Sequence, residues 1–359
     1  MNEIFIYSSK EHININGVSQ WQSPSNIALV KYWGKKSNQI PMNPSLSMTL
    51  SNCFSKIKVS YQFEILKNDN IHFSLLFEGK REVSFESKLS IFLDRIKVYC
   101  PYLLNLKLII ESSNSFPHSS GIASSASFYS ALSLSIMDIE KHLNSEIDDE
   151  FFLKKASFLS RLGSGSACRS IMGPVSLWGS SELFIDSNDF HAIKYPNKIN
   201  SVFKGINDTV LIVDKGKKNV SSSLGHELMK DHSFSNDRIK QAHNNLFRIK
   251  NALENGNYDM FIEIVEMEAL TLHAMMMTSN PYFILMKPNT LQIINEVWRY
   301  RIENHSKICF TLDAGANIHL LYPQNEYDKI QNFISSNLVN YCENDEFIND
   351  KIGVGPNKL

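Results

Sequence analysis

Between Leu106 and Ser135 the chain runs from LKLIIES, a β-branched and Leu-rich stretch of strand length, through the small-residue cluster FPHSSGIASSAS into an apolar helical pattern. Strand, tight turn and helix in that order suit an anion. Gly121 lets the backbone come close to a ligand, and the helix start offers free N–H groups at the positive end of its dipole. Ser119, Ser120, Ser124 and Ser125 add hydroxyl donors. A Ser-rich helix cap accounts for the same residues without a ligand. Neither G-x-x-x-x-G-K-[ST] nor G-x-G-x-x-G occurs, so any nucleotide here is held by other means than those two loops.

A length of 359 residues suits one large domain or two lobes sharing a cleft. With a formal charge of −1 there is no broad basic face, which argues against nucleic acid as the principal partner. Cys53, Cys100, Cys168, Cys309 and Cys342 are widely spaced and form no C-x-x-C, a pattern that fits a reducing cytosol better than a disulfide framework or a zinc site. The first residues, MNEIFIYSSK, lack the basic start and apolar stretch of a signal peptide, and no run approaches membrane-span length. The expectation is a cytoplasmic protein without a membrane segment.

In chain order, SPSNIALVKYWGKK enters a short apolar strand, Ile27 to Val30, and ends in Lys31, Tyr32, Lys35 and Lys36 around Trp33 and Gly34. Cations and a phenol at a strand end can form a site, or merely a solvated loop. PMNPSLSMTL and KIKVSYQFEIL look like two strands, and KLSIFLDRIKVYC like a helix stopped by Pro101. The helical DDEFFLKKASFLSRL leads into GSGSACRSIMG, where Gly163 and Gly165 permit tight turns, Ser164 and Ser166 carry hydroxyls and Arg169 offers a planar fork for carboxylate or phosphate. A flexible Gly-Ser linker is the alternative.

Polar turns between Trp178 and Asp214 mark a lobe boundary, placed so that residues 1–195 and 196–359 form the two lobes. Lys215, Lys217 and Lys218 follow, a group that is ordinarily a solvated turn. Two long amphipathic helices come next, with Gly256 as the stop between them, and His273 and Met275 to Met277 near the end of the second read as packing residues. In KICFTLDAGANIHLLYP, Asp313 interrupts an apolar strand. It either caps the Gly turn or faces a polar cavity.

SPSNIALVKYWGKK, FPHSSGIASSAS, LGSGSACRSIMG and FTLDAGAN, in this order and at these separations, resemble the diphosphomevalonate decarboxylase family of the GHMP kinase superfamily. The resemblance spans most of the chain, from about Trp21 to the strand after Asn317. It implies an α+β, two-lobed GHMP-kinase-like fold, with an N-terminal lobe like domain 2 of ribosomal protein S5, an α/β C-terminal lobe and a central cleft. It further implies a homodimer, ATP and Mg²⁺ as cofactors, and mevalonate 5-diphosphate as substrate. The tertiary 3-hydroxyl would be phosphorylated, then phosphate and carbon dioxide lost to give isopentenyl diphosphate. Asp313 would be the catalytic base, Lys35 would offset charge around it, and Arg169 would grip the substrate carboxylate. Asn26, Tyr32, Trp33, Gly34, Ser164, Gly165, Ser166, Ala167, Cys168 and Ser223 would line the substrate. Pro117, Ser119, Ser120, Gly121, Ala123, Ser124 and Ser125 would hold ATP.

Three segments depart from the family pattern. His118, Ser119 and Ser120 stand where Thr-Ala-Ala is usual, and Ala316 where Pro is usual. The segment SSSLGH has Ser223 where an Arg can occur and His226 in place of Met. Without that Arg, the second phosphate falls to Lys215, Lys217 or Lys218, or is absent from the true substrate. Competing readings are a decarboxylase of mevalonate 5-phosphate, a kinase of the same group without decarboxylation, and a catalytically inactive small-molecule sensor.

Overall fold

The computed structural model describes residues 3–8, 14–64, 69–117, 122–216 and 222–359; the side chains of Ser222 and Ser223 lie outside that description. Two long strands, β1 (Asn16–Val30) and β2 (Ser45–Phe63), pair antiparallel from Asn16 opposite Gln62 to Val30 opposite Leu46. The two strand-like runs of the sequence are thus one 19-residue strand. Register shifts between Pro24 and Asn26 and between Ala28 and Val30 let the pair bend without ending. Then come β3 (His72–Phe77), β4 (Lys80–Arg81), helix α1 (Val83–Ile96) and β5 (Leu106–Asn114). Helix α1 ends at Ile96, and Pro101 opens a short 3-10 turn instead of stopping the helix. Helices α2 (Ser124–Leu143), α3 (Asp149–Gly163) and the short α4 (Ala167–Ser170) follow, with β6 (Val175–Trp178) and β7 (Ile193–Lys194) closing this half.

The strand order is β1-β2-β5-β3-β4, with β6 also on β2 and β7 on β6; β3 and β5 are parallel and the other pairs antiparallel. Alternation in β5 buries Leu106, Leu108 and Ile110 beneath the helices. Ser127 and Ser130 of α2 are buried, with their hydroxyls on Ser55 (2.7 Å) and Ser23. Small side chains there bring the helix close to the sheet, so much of the serine run serves packing.

The second half contains β8 (Asn207–Leu211), helices α5 (Ser222–Leu228), α6 (Ser235–Asn255), α7 (Tyr258–Met277) and α8 (Pro288–Asn304), then β9 (Cys309–Thr311), β10 (Ile318–Tyr322), α9 (Tyr327–Phe333), β11 (Phe347–Lys351) and β12 (Asn357–Lys358). Its antiparallel sheet has the order β11-β8-β10-β9. Gly256, at φ +76°, takes the left-handed conformation that ends α6, and the Asn257 side chain accepts the Met260 N–H to start α7.

The halves share a core. Leu29, Val30, Leu46 and Met48 pack with Ala242, Leu246, Ile249 and Phe261 in one buried cluster. Asp350 on β11 accepts the N–H groups of Ser51 (2.9 Å), Asn52 (2.8 Å) and Cys53 (2.7 Å) on β2. Strand β12 returns to pair with β1, with Lys358 opposite Trp21. Helices laid on two largely antiparallel sheets make an α+β fold.

Candidate active site

At the end of β1, with its ladder partners exhausted, the chain turns through Lys31, Tyr32, Trp33 and Gly34. Lys31 is 2% exposed, and its ammonium lies 2.8 Å from the carboxylate of Asp313, which is 29% exposed. Asp313 sits on the turn between β9 and β10. Its carbonyl accepts the Gly315 N–H (2.7 Å) and a hydrogen bond from His273 Nε2 (3.1 Å), while Thr290 donates to the Ala316 carbonyl (2.8 Å). Burial pushes the Asp313 carboxyl up, but Lys31, followed by His319 and Arg169, outweighs it and leaves the pKa below the ordinary carboxylate value. At neutral pH the carboxylate is therefore ionised, part-exposed, and paired across the two halves of the chain with Lys31.

Arg169 of α4 is 3% exposed; it donates from one terminal nitrogen to Ser45 Oγ (2.6 Å) and from Nε to Asn26 Oδ1 (3.3 Å). Asn26 is itself fixed by donating to Ser170 Oγ (2.8 Å) and the Ser166 carbonyl (3.2 Å). The second terminal nitrogen of Arg169 has no protein partner among the described residues. Nearby, the buried Tyr32 hydroxyl has no hydrogen-bond partner among the described residues. Burial raises the Tyr32 pKa above its ordinary value, so the hydroxyl keeps its proton and remains a donor. A Cβ on Gly165 would stand 2.8 Å from that oxygen, so only glycine lets the GSGS loop approach it. Ala167 and Cys168 are fully buried; burial pushes the Cys168 thiol up to about 12, which leaves it protonated.

Ser164 Oγ lies 3.2 Å from Ser125 Oγ in the first turn of α2, so the two serine-rich loops meet. Ser25 anchors the same turn by donating to the Ile122 carbonyl (2.5 Å), and Ala123, at φ +46°, forms the N-cap ahead of Ser124. Pro117 is exposed. Ser119, Ser120 and Gly121 lie outside the described residues, as does the Ser223 side chain.

The resemblance assigns the cation beside Asp313 to Lys35, and the geometry corrects this: the cation there is Lys31. Lys35, four residues on, is half-buried, with its backbone bridged to Pro41. Burial, then Arg95, lowers its pKa, and Glu227 opposes them. The Trp33 ring packs in an apolar cluster with Met229, Leu272, Met275 and Met276. Gly34, at φ +91°, donates its N–H to His226 Nδ1 (3.0 Å). The imidazole lies against Tyr32 and Trp33, at ring separations of 4.3 and 4.7 Å. Burial, with Lys35 and Arg169 nearby, pushes its pKa down to about 3, so His226 is neutral. Lys215 is paired with Glu346, and Lys217 and Lys218 fall outside the described residues. The signal for Lys31 is present in the sequence: a lone lysine ending the apolar run IALV needs a counter-ion, and the lone aspartate of FTLD is its complement.

Residues 23–189 match the diphosphomevalonate decarboxylase-like N-terminal domain, and residues 209–355 the mevalonate 5-diphosphate decarboxylase C-terminal domain. A mevalonate diphosphate decarboxylase structure from Legionella pneumophila is 30% identical, with 92% of this chain and 100% of that one covered and a TM-score of 0.76. A structure described as MDDEF in complex with MVAPP, AMPPCP and magnesium is 26% identical over 96% of this chain and 99% of that one, with a TM-score of 0.81. The diphosphomevalonate decarboxylase of Saccharomyces cerevisiae is 28% identical over 87% of this chain and 79% of its own length. The chain belongs to the diphosphomevalonate decarboxylase family of the GHMP kinase superfamily.

Proposed function

We propose that this chain catalyses the ATP- and Mg²⁺-dependent decarboxylation of mevalonate 5-diphosphate to isopentenyl diphosphate, with ADP, phosphate and carbon dioxide as the other products. The observation that carries this reading is the Lys31–Asp313 pair, part-exposed at the carboxylate and sharing its field with the buried Arg169. Asp313 accepts the hydrogen bond of the tertiary 3-hydroxyl, orients its oxygen and takes its proton as the phosphoryl group arrives. Lys31 holds Asp313 ionised and adds positive charge where the transferred phosphoryl group develops negative charge. Arg169 turns its unpartnered nitrogen to the substrate carboxylate and fixes the C–C bond. When phosphate departs with the C–O electron pair, the electrons of that C–C bond fill the cationic carbon and carbon dioxide leaves.

Tyr32 and the hydroxyls of Ser164 and Ser166 donate to the anionic end of the substrate. The first turn of α2, where Ser125 meets Ser164, fits the nucleotide phosphates. A magnesium ion, a hard cation, would be bound mainly through the phosphate oxygens of the nucleotide. A kinase that stops at phosphoryl transfer would not be expected to need an acid, a lysine paired with it and Arg169 all together, which favours decarboxylation over phosphoryl transfer alone. We also assign a homodimer, a cytoplasmic location and lobes at residues 1–195 and 196–359; among the described residues no helix is long and apolar enough to cross a membrane.

One assay tests the reading: purified protein with ATP, Mg²⁺ and either mevalonate 5-phosphate or 5-diphosphate, following ADP and labelled carbon dioxide. Both products from the diphosphate are expected. ADP alone identifies a kinase, both products from the monophosphate alone change the substrate, and neither product identifies a sensor.

A further inference from the structure

Lys31 has just left the β1–β2 ladder, and both of its peptide groups are held by a charged pair in the second half of the molecule. Its N–H donates to Glu268 of α7 (2.8 Å), and its carbonyl accepts from Arg238 of α6 (3.2 Å) and from Asn43 (3.0 Å). Arg238 grips the same carboxylate with both terminal nitrogens (2.5 and 3.0 Å), and Asn245 donates to it as well (2.6 Å). The two side chains are 1% and 0% exposed. A buried pair of this kind is weak evidence for stability, since apolar residues of the same volume often serve as well. Its contacts here point elsewhere. By fixing the N–H and the C=O of one residue it fixes the direction of that residue's Cα–Cβ bond, and so the line along which the Lys31 ammonium reaches Asp313.

We propose that Arg238 and Glu268 are positioning residues that hold Lys31 on Asp313, with α6 and α7 as the rigid frame. This rests on the functional reading only for its kinetic consequence, because the geometry of the pair can be measured in the resting protein. Misplacement of such a group by about 1 Å is enough to cost about a hundredfold in rate. The charges and titratable groups around Asp313 are Lys31, Arg169 of α4, His226 of α5, His273 of α7, and His319 of β10 with its partner Asp208. The variants below leave all of them in place.

The test is the titration midpoint of the Asp313 carboxyl, followed by NMR in protein labelled with [¹³C]carboxyl aspartate and assigned by its loss in Asp313→Asn. Glu268→Gln keeps the shape but loses the charge that orders Arg238. Arg238→Lys keeps the charge but cannot bind Glu268 and the Lys31 carbonyl through a fork. In both, the Asp313 midpoint is expected to rise as Lys31 loosens, and kcat to fall by about ten- to a hundredfold with the ATP KM within twofold of wild type. If Glu268→Gln does not fold, Arg238→Lys decides. A folded variant whose Asp313 midpoint stays at the wild-type value overturns the proposal, whatever its rate. An inactive wild type with the midpoint shift intact instead overturns the assigned reaction and leaves the positioning role standing.

Discussion

The proposed role of Asp313 asks for two properties at once, charge at neutral pH and access to a ligand; Lys31 beside it supplies the first, and an exposure of 29% leaves room for the second. Asp313→Asn keeps the volume and removes the negative charge, so turnover should fall about a thousandfold while ATP affinity stays near wild type. Paired measurements of carbon dioxide release and nucleotide binding check this; substantial residual turnover would remove Asp313 from the chemistry. Arg169→Lys retains charge without the fork that spans Ser45, Asn26 and a ligand. A loss of about a hundredfold in kcat/KM is expected, and near-normal kinetics would refute the carboxylate grip.

His226 gives a pH prediction whose sign follows from its depressed pKa. The folded protein holds it neutral down to about 3, whereas an unfolded imidazole takes a proton near 6.5. The unfolded state therefore binds more protons between these values, and stability is lost as pH falls through 6.5, by about 2 kcal/mol at pH 5. The depressed Asp313 pKa acts the other side of that window: its stabilisation is present above the unfolded carboxyl value near 3.8 and lost only as pH falls below it. Melting temperatures of wild type and His226→Met from pH 7 to 5 isolate the histidine; the wild type should decline more steeply, and parallel curves would contradict the buried neutral imidazole.

At the scale of elements, the site depends on how β2 is pinned between the halves. Asp350 of β11 satisfies three consecutive backbone N–H groups of β2, at Ser51, Asn52 and Cys53, while it is itself 5% exposed. Asp350→Ala leaves those donors without an acceptor and should lower stability by about 3 kcal/mol, visible as a reduced urea midpoint. A midpoint unchanged from wild type would show that the clasp carries no weight. Strand β5, helix α3, the long helices α6 and α7 and the α6 stop at Gly256 are all legible from period and turn chemistry, because each is decided by residues near in sequence. The union of PMNPSLSMTL and KIKVSYQFEIL into β2 is not, since only pairing with β1 absorbs the irregularity between them.

For the whole molecule, Tyr32 and Arg169 come from the first half and Asp313 from the second, and Leu29 and Val30 share a buried cluster with Leu246 and Phe261. A ligand that bridges these residues should stabilise both halves together, by about 2.7 kcal/mol at a hundredfold excess over its Kd. Calorimetry with mevalonate 5-diphosphate and a non-hydrolysable nucleotide should show one transition moving to higher temperature; two transitions, only one of which moves, would refute the shared core. The sequence by itself determined the long helices α2, α3, α6 and α7 and, through four spaced motifs, the family, because these depend on short-range periodicity and on side-chain chemistry. Only the tertiary structure decided that Lys31 and not Lys35 meets Asp313, that His226 is neutral, and that Arg238 and Glu268 hold the Lys31 backbone. Each of these follows from distances and burial between residues far apart in the chain, and no local pattern encodes them.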